Sequence, residues 1–123
     1  MSLYSPQLLD HFEHPRNAGE LEDADLRVRV ENPACGDVLE LSAQTRAASI
    51  EAIRFRAKGC VPAMACGSLL TELVAGKTVT EARGITKAKL ETAIGGLPEA
   101  SGHAAQLAID ALRALLDKVN DNE

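Results

Sequence analysis

From Pro62 onward the apolar residues of this chain change from a two-residue to a helical period, and that change restricts the fold more than any other feature. Before it, Leu26, Val28 and Val30 alternate with Arg27 and Arg29. Val38 to Ala43 reads the same way, and Ile53, Phe55 and Ala57 alternate with Arg54, Arg56 and Lys58. A two-residue period marks half-buried strands, and short connections between three such runs predict an antiparallel meander. After it, Met64, Leu69, Leu70, Leu73 and Val74 recur at helical spacing, with Pro62 suited to the first turn and Gly76 to the C-terminal cap.

The remaining elements follow the same logic. Leu8, Leu9 and Phe12 give a short first helix from Pro6, stopped by Pro15, Asn17 and Gly19. Thr80 to Ala93 fits one or two short helices before Gly95-Gly96-Leu97-Pro98 breaks the chain. Ala105, Ala108, Ile109, Leu112, Leu115, Leu116 and Val119 then form an amphipathic helix with Ser101 as its N-cap. Strands followed by helices predict an α+β fold, a three-stranded antiparallel meander with helices packed on one face. With 123 residues and no repeat or linker, one domain over residues 1–123 is expected.

Composition excludes several functions. Aromatics make up 2% of the chain, so aliphatic residues must fill the core and platforms for stacking bases are scarce. The net charge of −5 lacks the basic footprint of a phosphate-neutralising protein, so nucleic acid is not an expected partner. No apolar run reaches the roughly 18 residues of a membrane span. Three cysteines, with no charged-then-apolar leader, fit free or metal-bound thiols in a reducing cytoplasm better than a disulfide framework.

Chemistry concentrates at two glycine-marked bends, Asn32-Pro33-Ala34-Cys35-Gly36-Asp37 and Lys58-Gly59-Cys60-Val61-Pro62. In a meander the start of the second strand lies beside the ends of the first and third, which brings Cys35 and Asp37 near Cys60. Cys35 and Asp37 share a face if Gly36 stays extended, and glycine also permits a positive φ. Cys60 precedes a helix, where the dipole and unpaired amides favour a thiolate. His103 opens the last helix and can project toward the same end. Cys35, Asp37, Cys60 and His103 would supply two thiolates, a carboxylate and an imidazole, compatible with tetrahedral zinc or with iron in a cluster. Each has a bland reading as well: a hairpin turn for Cys35 and Asp37, a small space-filler at a helix entry for Cys60, a surface position for His103. Cys66 falls on the core stripe and is the weakest ligand candidate. His11 and His14 read as surface or packing residues. A Cys-His hydrolase built from Cys60 and His103 lacks a visible orienting group or oxyanion device.

These residues, with Tyr4, Asp10-His11-Phe12-Glu13-His14-Pro15-Arg16-Asn17, Ala34-Cys35-Gly36-Asp37 and Gly59-Cys60, resemble the IscU and NifU N-terminal family of iron–sulfur cluster assembly scaffolds over Tyr4 to about Leu116. The resemblance implies the IscU-like fold, shared with SufE. It implies a non-enzymatic protein that takes sulfur from a cysteine desulfurase, builds a transient [2Fe-2S] cluster with iron and passes it to apo iron–sulfur proteins. By position, Cys35 and Cys60 would be cluster thiolates, Asp37 a weak oxygen ligand that keeps the cluster labile, and His103 the family histidine. Two departures stand out. The cysteine that normally follows the histidine is Ala104, which puts the usual sulfur route in question. Only Leu97 and Pro98 match the Leu-Pro-Pro-Val-Lys motif, which puts docking of an Hsp70-type chaperone in question. The alternatives are a degenerate member that binds zinc stably, or a SufE-like sulfur acceptor with a persulfide on Cys35.

Overall fold

In the computed structural model, which describes residues 3–119, helix α1 (Pro6–Glu13) starts at a capping serine. Ser5 Oγ accepts the Leu8 amide at 2.9 Å, and Pro6 occupies the first turn, where no intrahelical amide is lost. Strands β1 (Leu26–Glu31), β2 (Val38–Arg46) and β3 (Ser49–Lys58) then form one antiparallel sheet in the order β1-β2-β3. The register converts the sequence alternation into two chemically distinct faces. On one, Leu26-Ala43-Ile53, Val28-Leu41-Phe55 and Val30-Leu39-Ala57 form apolar rows; on the other, Arg27-Ser42-Arg54 and Arg29-Glu40-Arg56 form polar ones.

Helices α2 (Val61–Val74) and α5 (Gly102–Asp117) pack on the apolar face, α2 toward β3 and α5 toward β1 and β2, while α1 lies on α2. Approach is close: a Cβ on Gly67 would sit 2.9 Å from Phe55 Cδ2. The segment after α1 leaves the edge of β3, where Gly19 donates to the Phe55 carbonyl, and crosses the polar face to β1. On the way the Leu21 amide bonds Ser42 Oγ at 3.0 Å. Two short helices, α3 (Val79–Arg83) and α4 (Lys87–Ala93), complete the chain between α2 and α5. The interior is aliphatic, as composition requires, with Leu8, Leu39, Leu70, Leu90, Leu112 and Leu115 fully buried. No helix among the described residues is long and apolar enough to cross a membrane.

Two local expectations need adjusting. Strands β2 and β3 extend beyond the alternating stretches because Ala47 and Ala48, at φ 52° and 62°, make a tight left-handed turn that alanine rarely adopts. Ser101 makes no side-chain cap; a 3-10 turn at Glu99–Ser101 leads into α5 instead. Gly76 meets its expectation: at φ 79° it follows the Ala75 C-cap of α2, the left-handed position where a glycine ends a helix.

Candidate metal centre

Asn32 closes the first bend. Its amide donates to the Asp37 carbonyl at 2.8 Å, its carbonyl accepts the Gly36 amide at 2.7 Å, and its Oδ1 accepts the Ala34 amide at 3.0 Å. Gly36 takes the positive φ, 76°, rather than an extended one, so the chain reverses within the bend. Cys35 is left exposed, while the Asp37 side chain turns inward to 5% exposure.

The register Glu31↔Val38↔Lys58 sets this bend beside the end of β3. Gly59 then carries the chain past Asp37 at φ 144°, so close that a Cβ there would overlap Oδ1 and lie 2.5 Å from Cγ. A glycine is required at that position on both counts. Cys60 is the N-cap of α2, and its Sγ lies 3.1 Å from Asp37 Oδ2, the thiol donating to the carboxylate.

His103 completes the group from the first turn of α5. Its Nδ1 lies 3.1 Å from the Ala100 carbonyl, which can only accept, so Nδ1 carries the proton and Nε2 keeps its lone pair. That Nε2 is 3.7 Å from Cys60 Sγ and 3.7 Å from Asp37 Oδ2. Donor atoms of Cys35, Asp37 and His103 all fall within 4.8 Å of one another. Donors around one tetrahedral first-row ion stand roughly 3.3–3.8 Å apart, given metal–ligand bonds of about 2.0–2.3 Å. The Asp37, Cys60 and His103 separations approach that spacing, and they combine sulfur, oxygen and nitrogen donors suited to zinc or iron.

With that geometry in place, the whole-chain comparisons are decisive: the model of the NifU-like N terminal domain matches residues 3–122. The chain belongs to this family. Among curated relatives of this NifU-like domain, the "Iron-sulfur cluster assembly scaffold protein IscU 1" of Archaeoglobus fulgidus is 43% identical over 121 residues, covering 98% of this chain and 79% of the relative. The scaffold protein IscU of Haemophilus influenzae is 38% identical over 117 residues, covering 92% of each chain. The crystal structure of a NifU-like protein (N-terminal) from Brucella abortus superposes with a TM-score of 0.80 over 98% of this chain and 96% of that one. At 18% identity it attests the fold alone.

Two electrostatic details of this NifU-like domain depart from expectation or lie outside it. Cys60 is not an activated thiol. Burial first, then its bond to Asp37, push its pKa above the ordinary thiol range, and the opposing pull of the Ala63 amide at the helix start does not compensate. Cys66 is fully buried in the core, and burial pushes its thiol up to about 12. His14 is exposed, as read from sequence. His11 takes the packing alternative: it is 6% exposed, its Nδ1 2.8 Å from Ser68 Oγ and its Nε2 3.6 Å from Glu72 Oε1. Ser68 Oγ also accepts the Arg16 amide at 2.8 Å, and Asn17 Nδ2 reaches Thr71 Oγ1 at 3.2 Å. This network ties the Pro15-Arg16-Asn17 exit to α2. Its sequence signal was the pair of hydroxyls at Ser68 and Thr71 inside an otherwise apolar helix.

Proposed function

We propose that this chain is an iron–sulfur cluster assembly scaffold in which Cys35, Asp37, Cys60 and His103 hold a transient [2Fe-2S] cluster. The single observation that carries the reading is the convergence of these donors from three elements at one end of the sheet, with the lone pair of His103 Nε2 left free for metal. The names of the relatives agree with it. Persulfide-level sulfur comes from a cysteine desulfurase, with Cys35 the accessible thiol to receive it, and iron enters as Fe(II); oxidation of the two irons and of free thiol to disulfide supplies the electrons that bring the sulfur to sulfide. The cluster is cargo, passed on to apo iron–sulfur proteins in a reducing cytoplasm. The chain performs no bond-making catalysis of its own.

The donor set suits release. A carboxylate and an imidazole bind iron less tenaciously than thiolates, and protonation of the high-pKa Cys60 competes with metal. Ala104, 1% exposed beside His103, contributes no donor, so the four residues must suffice.

Anaerobic incubation with Fe(II), cysteine and a cysteine desulfurase tests the proposal. The wild-type chain should develop [2Fe-2S] absorbance with equal iron and sulfide, and Cys60→Ala should load none while keeping its far-UV circular dichroism. Normal loading by Cys60→Ala would overturn the assignment of the site.

A further inference from the structure

The sheet face turned away from the helices carries a charge pattern opposite to that of the chain. Residues paired across neighbouring strands share a face at about 5 Å spacing. The register therefore lays down three rows, Arg27-Ser42-Arg54, Arg29-Glu40-Arg56 and Glu31-Val38-Lys58. Lys118 reaches the same edge from beyond α5, its Nζ donating to the Arg27 carbonyl at 2.8 Å. The three rows hold five of the thirteen lysines and arginines against two of the eighteen carboxylates, and Lys118 adds a sixth cation; the segment that crosses the face brings Glu20, which pairs with Arg27 and Arg56, and with it Glu22, Asp23 and Asp25.

All six cations are exposed, and Arg54 and Lys58 have no ion-pair partner among the described residues. Arg27, Arg29, Arg56 and Lys118 rim a cleft of about 320 Å³ on this face. Guanidinium groups present planar forks that match carboxylates, and segregated charge accelerates and orients encounter with an opposite surface. The rows run toward the Cys35 bend and the Gly59-Cys60 turn, so a protein seated on them meets the donor cluster at their end.

We propose that this face docks an acidic surface of a recipient protein and aims the recipient's thiols at the Cys35 and Cys60 end of the sheet. The inference rests on the scaffold reading for the purpose of docking, and charge complementarity carries it. Transfer itself is ligand exchange. Each recipient thiol loses a proton as its sulfur binds iron; the departing Cys35 and Cys60 thiolates take up two of these protons, the rest pass to solvent because Asp37 leaves as carboxylate and His103 as neutral imidazole, and no electron changes hands.

The test compares Arg54→Glu/Arg56→Glu with Lys77→Glu/Lys87→Glu, an equal charge reversal elsewhere on the chain, using an acidic [2Fe-2S] apo-ferredoxin as recipient. The sheet-face double variant should load cluster normally yet transfer it at least about tenfold more slowly at low ionic strength. The gap should close near 0.5 M salt, where the screening length is about 4 Å. Transfer at the wild-type rate, or equal slowing in the control pair, would overturn the proposal. If the wild-type chain loads no cluster, the scaffold reading fails, and docking is judged by amide NMR shifts on adding a poly-L-glutamate peptide. Shifts confined to β1 and β3 and lost in the double variant support the docking face; absent or scattered shifts refute it.

Discussion

Replacing Gly59 with alanine probes the tightest contact of the site. Two structural costs apply. The φ of 144° is one that residues with a Cβ rarely adopt, worth about 1–3 kcal/mol, and the methyl group overlaps the Asp37 carboxylate, which must swing away from Cys60 at a further cost of about 1 kcal/mol. The smaller unfolded-state entropy of alanine returns about 0.5–1 kcal/mol. The net loss is about 1–3.5 kcal/mol. For 123 residues, an unfolding entropy of about 2.1 cal/mol/K per residue makes 1 kcal/mol equivalent to about 4 °C, so the midpoint should fall by about 4–14 °C. Gly36→Ala is the matched control. Its φ of 76° is also left-handed, but nothing lies within 4 Å of the added methyl, so it should cost only about 0.5–1 kcal/mol, or about 2–4 °C. Thermal unfolding followed by far-UV circular dichroism reads both. Equal shifts in the two variants, or none in Gly59→Ala, would refute the claim that Gly59 exists to make room for Asp37.

Other outcomes follow from burial and backbone conformation. Cys66 stays protonated in the folded chain up to about pH 12 but ionises near 9 when unfolded, so stability is lost as pH rises through that window. Urea unfolding at pH 10.5 against pH 7.5 should show the wild-type chain losing about 2 kcal/mol more than Cys66→Ala. His11 has a lowered pKa, from burial first and then the charge of Arg16, so its contribution is present above the ordinary imidazole range and lost as pH falls below it. His11→Asn should therefore flatten the stability profile between about pH 6.5 and 5 in the same assay. Ala48→Gly relieves a left-handed alanine and should raise stability by about 0.5–1 kcal/mol, read as a higher urea midpoint at unchanged slope.

How much of this was legible in the sequence differs by element. The alternation of Leu26, Val28 and Val30 with Arg27 and Arg29 already specified the two faces of the sheet, because strand parity is rigid. The meeting of Cys35, Asp37 and Cys60 was legible for the same reason: a meander leaves few other places for its bends. The Ala47-Ala48 turn was not, since neither residue signals a left-handed backbone and only strand pairing on both sides imposes it. Nor was the raised pKa of Cys60. The helix start argued for a thiolate, and that favourable dipole is outweighed by burial and by Asp37, both products of tertiary packing. The enclosure of His11 by Ser68 and Glu72 depends on the docking of α1 on α2, and spacing within α1 gave no hint of it.

As a scaffold, the chain must hold a cluster that can be handed on with four donors and no thiol at position 104. Iron and sulfide content per chain after anaerobic reconstitution, measured for the wild type beside Ala104→Cys, tests it most directly. The wild type should assemble a [2Fe-2S] cluster and transfer it to an apo-protein, with Ala104→Cys holding its cluster longer. Assembly by Ala104→Cys alone would contradict it.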